Sequence, residues 1–185
     1  VLDRIKKEAE VNMKKVIESV QHELTTIRTG RASVSLMDSI KVDYYGTSVP
    51  LKQVANIGIP EARLITIQPY QANMITAIEK SIQSSGLGLT PQNDGHIIRL
   101  PIPQLTEERR KELVKVARNF GEEGKIRARA VRREAIEKLR EGEKESLIPE
   151  DERHRGEKEI QEVTDQTTEK IDEMLKMKEA EIMEV

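Results

Sequence analysis

Apolar residues recur at helical spacing in three long stretches of the chain, while the stretch between the first and second follows different rules. The N-terminal series is Leu2, Ile5, Ala9, Met13, Val16, Val20, Leu24 and Ile27. A second series, within 104–140, is Leu113, Ala117, Phe120, Gly124, Ala128, Val131, Ala135 and Leu139. The third is Ile160, Val163, Thr167, Ile171, Met174 and Ile182, with Lys178 standing where an apolar residue is expected. At about 100° per residue each series stays on one stripe, which predicts three amphipathic helices, each with one buried face. The steps run three-four-four, a period of about 3.67 residues per turn and close to a straight helix. The helices should therefore run nearly parallel or antiparallel, without strong left-handed supercoiling. A helix of ~35 residues is about 50 Å long, so the three make a rod. Their ends are marked by Thr106 as an N-cap before Glu107 and Glu108, Gly30 as a C-cap after Arg28, and Pro149 before Glu150, Asp151 and Glu152.

Residues 31–103 change character. Ile40, Val42 and Tyr44 alternate before a turn at Gly46 and Thr47, and Val49, Pro50 and Leu51 begin a further extended run. Residues 63–67 read as a buried strand. Residues 74–85 read as a helix with Met74, Ile75, Ile78 and Ile82 on one face and Gly86 at its end. Turns at Gly88, Pro91 and Gly95 precede a last strand at 96–100. The prediction is an α+β protein in which a small mixed α/β domain, 31–103, is inserted into an elongated three-helix bundle made of 1–30 and 104–185. The chain leaves the bundle through Gly30, Arg31, Ala32 and Ser33 and returns through Pro101, Ile102 and Pro103. Two adjacent crossings form a joint about which both bodies can move as units. The two prolines fit a rigid elbow nearly as well.

Composition supports narrow seams rather than a thick core. Charged residues make up 35% of the chain and aromatics 2%, with no Trp and a single Phe, Phe120. The lack of Cys excludes disulfides and thiolate metal sites and fits a reducing cytoplasm. No apolar run approaches the ~20 residues of a membrane span, and the first residues lack the apolar core of a signal peptide. A soluble cytoplasmic protein is expected.

The net charge of −2 is unevenly spread. Residues 104–140 hold 12 basic and 7 acidic groups, and residues 150–185 hold 6 basic and 13 acidic groups. On the second helix Lys111, Lys115, Arg118, Lys125, Arg129, Arg132 and Arg140 form one row, with Arg133 beside it. Like charges at i,i+3 and i,i+4 repel by a few tenths of a kcal/mol per pair, so stability does not explain the row. An anionic partner does, and a phosphate backbone is the commonest. The alternative is a solvated face whose cations pair with neighbouring helices, the acidic third helix above all.

Catalytic chemistry is not legible. His22, His96 and His154 fall in separate predicted elements, without ligand or triad patterns. Glu122-Glu123-Gly124-Lys125-Ile126 lacks the first glycine and the Ser or Thr of a phosphate loop and sits inside a helix. Arg28-Thr29-Gly30-Arg31 could bind phosphate at a helix end, yet a C-cap with flanking cations explains it as well. No two carboxylates group in a water-excluding site. A non-enzymatic protein is expected, with no catalytic residue, cofactor or metal.

Ile27-Arg28-Thr29-Gly30-Arg31-Ala32-Ser33, Val42-Asp43-Tyr44-Tyr45-Gly46-Thr47, Leu87-Gly88-Leu89 and Leu105-Thr106-Glu107-Glu108-Arg109-Arg110-Lys111 together resemble the bacterial ribosome recycling factor family, as does Val131-Arg132-Arg133. The resemblance covers the whole chain. Val1 stands where the family usually has Met, which reads as an alternative start codon or a processed end. The resemblance implies a three-helix bundle with a smaller inserted domain, in an L-like, roughly tRNA-shaped outline. It implies a translation factor that occupies the post-termination ribosome and, with elongation factor G and GTP, releases it from mRNA and separates its subunits. The GTPase is then the partner, which agrees with the missing phosphate loop. The implied partners are the ribosome, mainly large-subunit rRNA, and elongation factor G, facing the inserted domain. No membrane is implied, and the factor itself is a monomer. By motif match the implied rRNA contacts are Arg132 first, Arg129 and Arg133 next, and Arg110 near the joint. Arg28 and Arg31 match as well, serving the joint or the RNA, and Gly30, Pro101 and Pro103 fall at the joint.

A different class of function remains open on the residues alone. A helical adaptor would use its long faces to bind other helices and its basic row to bind an acidic protein. Co-sedimentation with ribosomes at low and high salt separates that reading from a translation factor.

Overall fold

The structure, a computed structural model, describes residues 1–184. Two compact units emerge: Val1–Arg28 with Glu107–Val185, and Thr29–Thr106.

The first unit consists of three long helices. Helix α1 (Leu2–Thr25) buries Ile5, Ala9, Met13, Val16, Val20 and Leu24, and Ile27 is buried just beyond it. Its end lies earlier than Gly30 suggested. Thr26 caps it, its amide bonding Glu23 O at 3.2 Å, while the Thr25 and Thr26 hydroxyls donate to His22 O and Glu23 O at 2.6 Å each. These local bonds satisfy terminal carbonyls that a glycine cap would otherwise serve. Gly30, at φ +78°, instead shapes the segment that follows.

Helix α3 (Glu107–Lys144) continues beyond Arg140 to a turn in which Leu147 N bonds Gly142 O at 2.8 Å. Helix α4 (Glu150–Met183) starts directly after Pro149, whose φ of −65° suits a helix entry. The interior between the helices is built on small residues. Ala117, Gly121, Gly124, Ala128 and Ala135 are buried along α3, with Leu113 and Leu139 among them. A Cβ at Gly124 would collide with Val20 Cγ2, so that position needs the bare glycine for close helix approach, while one at Gly156 would lie 2.7 Å from Leu2 Cδ1 and displace that side chain. Phe120 and Val131, expected inside, are half-buried. Gly121 takes the inner place beside Leu175, where a Cβ would have only 3.1 Å. On α4, Val163 and Met174 are likewise half-buried, whereas Thr164 and Thr167 are inside. Their hydroxyls donate to Ile160 O at 2.7 Å and Val163 O at 2.8 Å, so neither is buried unsatisfied. Lys178 occupies its apolar slot with only 13% of its side chain exposed, its ammonium reaching Glu181 at 3.5 Å.

The second unit carries a hairpin, a four-stranded sheet and one helix. Strands β1 (Lys41–Tyr44) and β2 (Thr47–Pro50) pair antiparallel with Val42 opposite Val49. The sheet is antiparallel in the order β3-β4-β6-β5, from β3 (Ala55–Glu61), β4 (Leu64–Pro69), β5 (Gln92–Asn93) and β6 (Ile98–Pro101). Helix α2 (Ile75–Gln83) lays Ile75, Ile78 and Ile82 on a core that includes Ile40, Ile65, Ile67, Ile98 and Leu100. The last strand begins two residues later than its apolar run. Asp94 accepts from the amides of His96 and Ile97 at 2.9 Å each, which holds them in a turn.

Candidate nucleic-acid interface

The basic row of α3 divides once its neighbours are in place. Arg118 Nε donates to Glu179 Oε1 of α4 at 2.7 Å, and Arg140 Nε to Glu157 Oε1 at 2.9 Å. Lys125, 18% exposed, is paired with Asp172 and lies 3.7 Å from Glu122. The Asp172 hydrogen bond raises the Lys125 pKa against the effect of burial, and Glu179 raises that of Arg118 by its hydrogen bond and then its charge. For Glu157, burial pushes the pKa up, but hydrogen bonds and charges from Arg140 and then Arg153 outweigh it and hold the carboxyl below its ordinary value. Much of the row is thus an internal seam between a basic and an acidic helix, as the charge distribution allowed.

Arg129 and Arg133 differ. Both are exposed, and neither has an ion pair or hydrogen bond to any described residue. They stand four apart on one side of α3, so their repulsion is not relieved by any described residue. Arg132 lies between these two classes. Half-buried rather than exposed, it donates from Nη1 to Gln161 Oε1 at 3.4 Å, and Gln161 is itself held by Asp165 at 2.9 Å. That single long bond leaves most guanidinium donors open while limiting the side chain's freedom.

Arg110 does not share this face. It is only 9% exposed, and its Nε has no partner. Arg28 and Arg31 are exposed at the first crossing. Within the inserted unit, Ala32 N bonds Ala62 O at 2.7 Å and Ile102 N bonds Arg63 O at 2.8 Å, so the chain enters and leaves at adjacent residues of one turn. Gly30 there meets Leu105, whose Cγ would lie 3.1 Å from an added Cβ. Pro101 belongs to β6 opposite Leu64, and Pro103 is exposed beyond the sheet.

One residue of this surface was not anticipated. Ile126, 59% exposed, sits one turn before Arg129 and Ala130. An isoleucine on the side of the helix opposite the buried stripe, near arginines on a helical wheel, was the available signal. Among the described residues no group of three or more acidic or histidine side chains is placed to hold a metal, and no helix is long and apolar enough to cross a membrane.

The family model for ribosome recycling factor matches residues 20–183. The chain is 54% identical over 185 residues to the ribosome-recycling factor of Chloroflexus aurantiacus and 53% identical over 185 residues to that of Halothermothrix orenii, with 100% of both chains covered each time. Among solved structures it is similar to a ribosome recycling factor in solution, with 44% identity, a TM-score of 0.74 and coverage of 100% of this chain and 98% of the other. It is also similar, at 43% identity and a TM-score of 0.62 over 100% of both chains, to the T. thermophilus ribosome recycling factor in models with E. coli elongation factor G bound to the E. coli post-termination complex. The two-unit α+β architecture and the full-length sequence match agree, and the chain belongs to the ribosome recycling factor family.

Proposed function

We propose that the chain is a non-enzymatic translation factor that binds the post-termination ribosome and, with elongation factor G and GTP, promotes release from mRNA and subunit separation. The observation that carries this reading is the exposed pair Arg129 and Arg133, cations for which no described residue supplies a partner. A phosphate backbone offers the missing anions, and guanidinium forks suit phosphate oxygens. Arg132, oriented by Gln161, is the third contact. Ile126 supplies apolar surface against sugar or base. Arg110 is left out of this interface because its buried side chain presents little surface to RNA. The relative that has been placed on a post-termination complex with elongation factor G supports the choice of the ribosome and that GTPase as partners. The factor works as a monomer in the cytoplasm, and the energy for separation comes from the GTPase.

Each charged hydrogen bond to phosphate contributes roughly 1.5–3 kcal/mol, so Arg132→Ala should weaken ribosome binding about 10- to 150-fold. The reading is tested by following subunit separation of purified post-termination ribosomes by light scattering, with elongation factor G and GTP, in the presence and absence of this chain. Rapid separation that requires the chain is expected. Separation no faster with it than without it would refute the reading.

A further inference from the structure

The ion pairs between α3 and α4 keep one antiparallel register. Arg118 meets Glu179, and Lys125, seven residues on along α3, meets Asp172, seven residues back along α4. Arg140 and Glu157 repeat the relation fifteen residues further in each direction. The same register brings Asp165 opposite Arg132, each seven residues from its counterpart in the Lys125–Asp172 pair. Seven residues are about two helical turns, so both side chains return to the facing sides of their helices. A further ion pair is due there. Among the described residues Arg132 makes none, although Arg118, Lys125 and Arg140 all do.

Gln161 accounts for the gap. Its Nε2 donates to Asp165 Oδ1 at 2.9 Å, while its Oε1 accepts from Arg132 Nη1 at 3.4 Å. A carboxylate only accepts and a guanidinium only donates, so the two contacts fix which end of the amide faces each group. Asp165 is bonded along α4, to a residue one turn before it, and not across to α3. Arg132 meets a neutral oxygen where the rest of the seam supplies an anion. One hydrogen bond is enough to hold Asp165 in this way. Its side chain is exposed, and an exposed ion pair is worth no more than the hydrogen bond it would replace. A carboxylate at 161, by contrast, would neutralise Arg132 as Glu157 neutralises Arg140.

We propose that Gln161 is a positioning residue: it withholds the Asp165 carboxylate from Arg132 and so leaves that guanidinium un-neutralised for a phosphate. That a phosphate takes the place rests on the function proposed above, whereas the withholding is a property of the bundle itself. Gln161 thereby separates Arg132 from the paired cations of its own row and keeps it with Arg129 and Arg133.

The test measures binding of the full chain to post-termination ribosomes by sedimentation, beside thermal melting. Gln161→Ala releases Asp165 to pair with Arg132. A partly exposed ion pair shifts an equilibrium by up to about five-fold, so ribosome affinity should fall by about that factor without a matching loss of melting temperature. Gln161→Glu, which sets a second carboxylate against Arg132, should lose more. The decisive variant is Gln161→Ala with Asp165→Asn, in which no carboxylate remains to compete. Its affinity should return to within about two-fold of the unaltered chain. A loss that persists in the double variant, or no loss in Gln161→Ala, overturns the proposal. A crystal structure of Gln161→Ala supplies a readout without ribosomes: the Arg132 guanidinium should lie within about 4 Å of the Asp165 carboxylate. A guanidinium that stays clear of Asp165 also overturns the proposal. The two readings fail separately. An unaltered chain that does not bind ribosomes refutes the proposed function, whereas normal binding by both Gln161 variants removes the role of Gln161 alone.

Discussion

Two parts of the cationic row on α3 carry the same residue types and do opposite things. Arg118 and Arg140 meet Glu179 and Glu157 of α4, at 2.7 and 2.9 Å, and tie two helices of opposite charge together. Arg129 and Arg133, on the same helix, meet no charge of the described chain. A count of cations along a helix therefore does not measure an anion-binding surface. The relevant quantity is what remains after internal partners are subtracted, because a guanidinium already paired with carboxylate must give up that bond to take a phosphate.

The largest effect expected from this contrast is on binding. Replacing both Arg129 and Arg133 with Ala should weaken ribosome affinity about 100-fold or more, from two charged hydrogen bonds at roughly 1.5–3 kcal/mol each. Melting should hardly change, since surface substitutions usually stay within about 0.5 kcal/mol. Sedimentation binding beside calorimetry checks both halves. A drop in melting temperature that tracks the lost affinity would break the comparison.

The buried face should show the reverse pattern. Gly124→Leu forces a side chain into Val20, which is fully buried, and should destabilise the bundle by about 2–3 kcal/mol. For a chain of this size that lowers the melting temperature by roughly 4–12 °C. The molecules that remain folded should bind ribosomes normally, as read below the transition.

Arg118→Ala sharpens the contrast with a smaller effect. Its partner, Glu179, is 26% exposed and Arg118 itself 63%, so solvent screens the pair and its loss should hardly change the melting temperature. Ribosome affinity should change by less than about two-fold, against the large loss at Arg129 and Arg133.

The smallest effect concerns pH. Arg140 and Arg153 hold the Glu157 carboxyl below its ordinary 4.5. A carboxyl depressed by folding gives stability that is present above pH 4.5 and is lost as the pH falls through the depressed value. Side-chain NMR should show Glu157 titrating below 4.5 and moving up toward that value in Arg140→Ala. An unchanged midpoint would deny the ion pair its role in the seam.

Much of this organisation could be read from the sequence because it depends on period. The α1 stripe is buried from Ile5 to Ile27 as its spacing demanded. Period alone could not decide between Phe120 and Gly121 for the inner face. That choice depends on the distance to Leu175 on α4, far away in sequence, and helix packing at a glycine leaves no room for a large ring. The short β5 was missed for a related reason. Gln92 and Asn93 have no apolar alternation, and they are strand only because Arg99 and Ile98 lie opposite. The cationic row was legible as a pattern, but its division into seam and free patch was not. Glu179, Asp172 and Glu157 reach it from distant sequence.

The central claim is that the unpaired cations of α3, and not the paired ones, hold phosphate. Its most direct measurement is the salt dependence of ribosome binding for Arg129→Ala with Arg133→Ala, beside Arg118→Ala with Arg140→Ala. Each lost phosphate contact should make the slope of log affinity against log salt shallower by about one unit or less. The account predicts a slope shallower by up to about two units for the first double variant and an unchanged slope for the second. Equal changes in both, or a change confined to the second, would contradict it.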